Sequence, residues 1–441
     1  MDQGTQLAFL ILACFLGAGM IASFRKGLLS PYFLFFSYLF VGVIVRGYYL
    51  SDDSAFDSTD FWSIAAPLVQ RDFLAAYLEL LTAIMIAVAA SRVIIRIRNP
   101  LEDAFLRFFS FRPAEIHFAG TMVAAGFFCL SFVGALAVSG GGLAEAFLSL
   151  QKRARVFGSE MFVIRILSVV FSVAVALLVY KISAEHRSSS RLRKSGVLCF
   201  VLLDLALLLL SGGRGEVMKQ VLVLLYLRNR GIDQGNIGIK STFLIGALGS
   251  VVVVGGIAIR RSAQFGMELS DATVDAFKTA GHSLSGAFPI TDLYLATRYY
   301  ANSTGHDYGF QFLLYFVRYI PRSLWEGKPE NLGYAMREFY YGDTLAGVIP
   351  TMFGEFYIAW GLVGIVFCGL FLGWVLSFLL RAYHHATSDS KFALIYVMLA
   401  VMLVFDGLRA GLEIAVFLMF NTLATLTCFK LAARMSMLSV K

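Results

Sequence analysis

A guanidinium set among glycines interrupts an apolar run at Ser211-Gly212-Gly213-Arg214-Gly215-Glu216, between residues 205–210 and 217–227. A charged side chain at membrane depth costs roughly 2.5–3.5 kcal/mol on insertion scales, so Arg214 should face protein, water or a ligand. Pairing with Glu216 or Asp204 is one reading. The glycines favour more than a pair, because they let another backbone or a bulky ligand approach closely. A second concentration of chemistry lies in residues 260–350, where Arg260, Arg261, Arg298, Arg318, Arg322, Lys328 and Arg337 occur with Asp292, His306, Asp307, Glu326, Glu330 and Glu338. Planar guanidinium groups suit bidentate capture of phosphate. At a membrane surface they also snorkel to headgroups or pair with nearby acids. Arg318 and Arg322 are four apart, hence on one face if that segment is helical.

Candidate proton acceptors are Glu355, His306 and Glu216, in that order. Glu355 stands where the long polar segment gives way to the next apolar run; a helix N-terminal charge favoured by the dipole is the structural alternative. His306 lies in residues 302–307, which also read as a polar turn. Glu79, Asp204, Asp406, Arg409 and Glu413 are further charges inside apolar runs. The last three have helical spacing and are most simply structural pairs.

The elements that must position these groups are membrane helices. The chain has 441 residues, of which 58% are hydrophobic and only 15% charged, with a mean hydropathy of +0.74. Soluble proteins carry about a quarter charged residues, so lipid is the main solvent here. Apolar runs cover approximately residues 7–24, 32–50, 73–95, 116–138, 161–182, 197–210, 217–227, 242–259, 351–380, 392–405 and 412–431. An all-α polytopic membrane protein follows, with roughly eleven transmembrane helices, or ten to thirteen. Short alternating segments of a membrane β-barrel are not present in the pattern. Residues 7–24 are long and followed at once by Arg25 and Lys26, so they read as a first span and not as a cleavable signal. The five cysteines stand singly inside apolar runs with no CxxC spacing, which gives no support to disulfides or a metal centre. No cofactor is expected.

Charge asymmetry orients the chain. Basic residues follow the first, third and fifth spans, whereas residues 51–70 carry Asp52, Asp53, Asp57 and Asp60. The positive-inside rule puts the basic connections in the cytoplasm and the acidic loop outside. It also accounts for the net charge of +8 without any nucleic-acid partner. Dividing residues 197–227 into two short spans at the glycines places every later basic connection inside. Residues 260–350 are then external and the C-terminus cytoplasmic. Residues 143–157, ending in Lys152, Arg153 and Arg155, read as an outer-leaflet amphipathic helix or a contact for an anionic lipid-linked ligand.

Four divisions result: spans 1–196, spans 197–259 with the Arg214 motif, a long periplasmic loop 260–350, and C-terminal spans 351–441. The loop is rich in aromatic residues and holds Pro289, Pro321, Pro329 and Pro350, so it should form several short helices and not a disordered linker. Residues 310–319 are apolar but too short to span, and should lie on the bilayer or dip into it.

In their order the motifs resemble the bacterial O-antigen or oligosaccharide-repeat-unit polymerases of the Wzy type. The likeness rests on Ser211-Gly-Gly-Arg214-Gly, on Tyr319-Ile-Pro321-Arg322-Ser-Leu-Trp325-Glu-Gly-Lys328-Pro329, and on Gly354-Glu355-Phe-Tyr357-Ile-Ala-Trp360-Gly361-Leu-Val-Gly364. It implies a metal-independent glycosyltransferase at the periplasmic face of the inner membrane, moving a growing glycan from undecaprenyl diphosphate onto a new lipid-linked repeat unit. A flippase and a polysaccharide chain-length regulator are the expected partners. Arg214, Arg260, Arg261, Arg318, Arg322 and Lys328 would hold the diphosphates, and Tyr319 and Trp325 would contact sugars. A departing diphosphate needs positive charge, and with no metal-ligand cluster arginine must supply it. The rival readings are an O-antigen ligase with the same donor, a lipid-linked oligosaccharide flippase or other transporter, and a non-catalytic assembly partner.

Overall fold

The structure is a computed structural model that describes residues 3–24, 26–27, 29–50, 72–97, 99–139, 160–185, 189–210, 214–231, 254–255, 258–259, 262, 266, 268–278, 289–317, 320, 324–330, 332–342, 348 and 350–438. Among the described residues every regular element is helical, so the chain is an all-α polytopic membrane protein. Seven helices in this set are long and apolar enough to cross a membrane. The acidic residues 51–70 and the basic segment 143–157 lie outside the described residues.

Two compact units divide the chain. Residues 1–98, 284–381 and 402–417 form the first, and residues 99–283, 382–401 and 418–441 the second. The second unit begins with the short α4 (Pro100–Phe108) and is built around α6 (Glu160–Ala184), which packs on α5 (Phe118–Ser139), α7 (Arg191–Leu210) and α8 (Arg214–Gly231). The junction between the last two, residues 211–213, lies outside the described residues. Asp204, one of the charges in an apolar run, is buried on α7. Its carboxylate accepts from Ser172 Oγ on α6 at 2.8 Å and from Gln220 Nε2 on α8 at 2.7 Å, so each oxygen is held by a neighbouring helix.

The first unit starts with α1 (Gln3–Phe24), α2 (Pro31–Leu39) and α3 (Phe73–Ile94). Pro31 opens α2, where its missing N–H costs nothing, and Ser30 Oγ accepts from Phe33 N–H at 3.4 Å. The helix then widens into a π turn, Phe40–Val45, before Arg46–Leu50. Against this turn sits a helix from the long polar segment, α10 (Ile290–Thr304), which follows the short α9 (Leu269–Lys278). The Thr291 hydroxyl reaches the Gly42 and Val43 carbonyls at 3.4 and 3.2 Å, groups a π turn leaves less well paired. One residue on, Asp292 receives Arg46 Nη2 at 2.8 Å, both side chains being 6% exposed. The segment also contains α11 (Phe310–Val317) and α12 (Leu332–Tyr341), so its described part is short helices joined by turns. On α11, Gln311 is buried while Phe310, Leu313 and Phe316 are exposed.

The apolar stretch that begins at Thr351 forms α13 (Met352–Ser388), which is not one rod. Trp360 and Gly361 have non-helical backbone angles, with φ of 60° at the glycine. A Cβ on Gly364 would overlap the Phe356 carbonyl, so the chain doubles back at the turn and its two arms touch backbone to backbone. Residues 352–359 are a buried half-helix of ~12 Å, far short of a membrane core. After α14 (Ala393–Val401), α15 (Gly407–Leu438) is broken in the same manner at Gly411, φ 82° and ψ 173°.

Removing one partner of a buried ion pair costs about 3–5 kcal/mol, whereas replacing both with apolar groups is close to neutral. Arg46→Met is therefore expected to lower the thermal midpoint of the purified protein in detergent, and Arg46→Met with Asp292→Leu to recover most of it. A double variant no more stable than the single one would contradict the pairing.

Candidate functional site

In the first unit, three loop-derived features converge on the half-helix 352–359: the α10 helix, the turn that follows it, and α11. Helix ends leave carbonyls without intrahelical partners. Here the Ile358 carbonyl accepts from the Asp307 N–H at 3.1 Å and lies 3.2 Å from His306 Nδ1. A carbonyl oxygen can only accept, so Nδ1 carries a proton, and in the neutral imidazole the lone pair is then on Nε2. Nε2 lies over Gly361, 3.1 Å from where a Cβ would stand, and the residue is exposed. Asp307 also starts α11, its carboxylate accepting from Gly309 N–H at 2.9 Å.

Glu355 faces the other way and is 1% exposed. Its carboxylate accepts from Leu412 N–H at 2.6 Å, the first amide after the Gly411 break. A side chain at Gly411 would collide with that carboxylate, so the glycine serves both the positive φ and the close approach. Gln311 Nε2 donates to the Glu355 carbonyl at 2.6 Å, and Tyr315 lies beside the carboxylate. In this geometry Glu355 caps the second arm of a broken helix, a use of carboxylates that the positive N-terminal dipole favours.

A third group escapes sequence reasoning. Arg298 on α10 reaches Glu79 through Nε at 3.1–3.2 Å and Asp72 through Nη1 at 2.5 Å. The Tyr294 hydroxyl donates to the same Glu79 at 2.6 Å. Burial first, and then the Glu79 carboxylate, push that hydroxyl well above its ordinary range, so it remains a donor. Burial works against the Arg298 charge, but the Glu79 and Asp72 carboxylates outweigh it and the guanidinium pKa moves up. The guanidinium carbon lies 5.6 Å from the centre of the Tyr357 ring. Glu79 was visible as an acid inside an apolar run, which demands a partner. The partner, 219 residues away, was not.

The remaining candidates are spread out. Glu216 lies in the second unit, exposed and paired with Lys219 at 2.5 Å. Arg214 is the first residue of α8, and its side chain lies outside what is described. Arg260, Arg261, Arg318, Tyr319 and Arg322 also lie outside the described residues. Lys328 donates through Nζ to the Ile320 carbonyl at 2.9 Å and through its amide to the Trp325 carbonyl at 3.1 Å. Trp325 is 37% exposed.

Fold and site together define a multi-pass membrane protein in which helices of a long loop close on a buried half-helix. A family model described as O-antigen polysaccharide polymerase Wzy matches residues 4–437, and the chain belongs to that family. It is thus a membrane polymerase of O-antigen repeat units, acting on lipid-linked oligosaccharides. Comparison with curated proteins and with solved structures found no match.

If Glu355 is a cap, the oxygen matters more than the charge. Glu355→Gln keeps an acceptor for Leu412 N–H, whereas Glu355→Ala leaves a buried amide unpaired at about 1–3 kcal/mol. We expect the alanine variant, and Gly411→Ala, to lose thermal stability in detergent while the glutamine variant stays near wild type. Equal losses in Gln and Ala variants would mean that the charge itself is needed.

Proposed function

We propose that the chain joins repeat units carried on undecaprenyl diphosphate, at the periplasmic face of the inner membrane, by glycosyl transfer that uses no metal ion. In this reaction an acceptor sugar hydroxyl attacks the anomeric carbon of the donor glycan. The new glycosidic bond forms as the bond to the diphosphate breaks, and the lipid diphosphate leaves with its electron pair. The hydroxyl proton goes to His306 Nε2. What supports His306 over the other candidates is the Ile358 carbonyl, which takes Nδ1–H and so assigns Nε2 as the basic nitrogen of the neutral ring, on an exposed residue. The Glu355 carboxylate is instead occupied by a backbone amide, and Glu216 has an ammonium beside it.

Positive charge for the departing diphosphate comes, in this reading, from Arg214, Arg260, Arg261, Arg318, Arg322 and Lys328. Arg318 follows directly on α11, whose first turn is held by Asp307, the neighbour of His306. Tyr319 and Trp325 would give sugars apolar faces. Polymer length and delivery of the units would rest with a chain-length regulator and a flippase.

Purified protein supplied with a lipid-diphosphate-linked repeat unit should make a ladder of polymers in detergent. His306→Ala should lower the rate by about 10²–10⁴-fold, the usual contribution of a general base. Arg322→Ala should also slow elongation, and a chelator should not. Normal elongation by His306→Ala would remove the base assignment, and loss of activity in chelator would remove the metal-free scheme.

A further inference from the structure

Tyr294, Arg298 and Asn302 recur every fourth residue along α10, so one stripe of the helix carries all three. At one end the stripe meets Glu79 through the Tyr294 hydroxyl and the Arg298 guanidinium, at 2.6 and 3.1 Å. At the other end the Tyr357 hydroxyl donates to Asn302 Oδ1 at 3.1 Å. The Tyr357 ring also meets the His306 ring, with centroids 5.8 Å apart and planes at 67°. Between the two ends lies Arg298, over the Tyr357 ring and clamped by the carboxylates of Asp72, the residue before α3, and Glu79, seven residues on. From Glu79 to His306 the contacts are continuous.

Fastening α10 does not require this clamp. The start of the helix is already held by Thr291 on the π turn and by the Asp292–Arg46 pair, and its middle by the Tyr340 hydroxyl on the Ala296 carbonyl at 2.7 Å. A half-buried guanidinium between two carboxylates carries a desolvation cost that an apolar contact would avoid. Its planar fork does what an apolar contact cannot, since it fixes direction as well as distance.

We infer that Arg298 and Glu79 are positioning residues for His306: they fix Tyr357 on the half-helix, and Tyr357 with the Ile358 carbonyl holds the imidazole in the orientation that presents Nε2. The inference rests on the His306 reading above. It assigns a role to two residues that contact no substrate, and makes Tyr357 the link between them and the base. It also explains why the half-helix is pinned from both sides, by Glu355 on Leu412 and by Tyr357 on Asn302.

The test uses the full-length chain in detergent and a lipid-diphosphate-linked repeat unit, with kcat and KM measured for Arg298→Lys, Arg298→Met, Glu79→Gln and Tyr357→Leu. Misplacing a reacting group by about 1 Å costs up to roughly 100-fold, so kcat should fall by about 10- to 100-fold with KM little changed. Arg298→Lys, which keeps charge but not the fork, should retain more activity than Arg298→Met. Combined with His306→Ala, none of these changes should lower the rate further, because nothing is left to position. Unchanged kcat, a loss confined to KM, or losses that multiply with His306→Ala would each overturn the inference. Should the charge variants fail to yield folded protein, Tyr357→Leu decides alone, since it removes the ring that meets both Arg298 and His306 and leaves every charged partner in place. Full activity in His306→Ala would instead strike the base assignment itself. A crippled His306→Ala beside unaffected Arg298 and Tyr357 variants would remove only the positioning role.

Discussion

In a protein solvated by lipid, a helix cannot end in the interior unless its freed backbone groups find partners inside the molecule. Two helices of the first unit break that way, at Trp360–Gly361 and at Gly411. The residues that repair the breaks are the ones with chemistry in them. His306 and the Asp307 amide take the Ile358 carbonyl, and the Glu355 carboxylate takes the Leu412 amide. Each repair binds the loop or the half-helix to another segment, so satisfying the backbone also brings these residues together.

Glycine makes the breaks possible. Gly361 and Gly411 adopt positive φ, and Gly364 lets two backbones touch where any Cβ would intrude. Around these points the packing is aromatic, with Phe312 stacked on Trp360 and Phe356 and Phe367 beside it. Flat rings cover a sharp reversal without needing further polar partners. The half-helix is thereby held by ring contacts at its turn as well as by hydrogen bonds along its length.

Charge follows a different logic in the same unit. Arg46, Asp292, Glu79, Arg298 and Asp72 all lie where α10 meets the helices of the N-terminal region, and each is paired. Isolated, any of them would be costly to bury; paired, they specify where α10 sits along α3 and against the π turn. Asp204 in the second unit accepts hydrogen bonds from Ser172 and Gln220 instead, so an acid in an apolar run need not mark a ligand.

Composition and hydrophobic run length determined the all-α membrane architecture, because lipid leaves the backbone few other options. The short helices of the long loop were legible for a similar reason, since dense aromatic residues between prolines cannot stay solvated. Residue type alone also marked His306 and Glu355 as groups capable of proton transfer, and Glu79 as an acid in need of a partner. Only the tertiary structure decided what each of them touches. It turned the half-helix 352–359 back against the arm that follows Gly361, which no hydropathy profile detects because both arms are apolar. It set Glu355 against a backbone amide 57 residues away and Arg298 against a carboxylate 219 residues away. Such pairings depend on contacts between distant segments, and in an apolar chain the sequence gives the cost of leaving a charge alone but not the address of its partner.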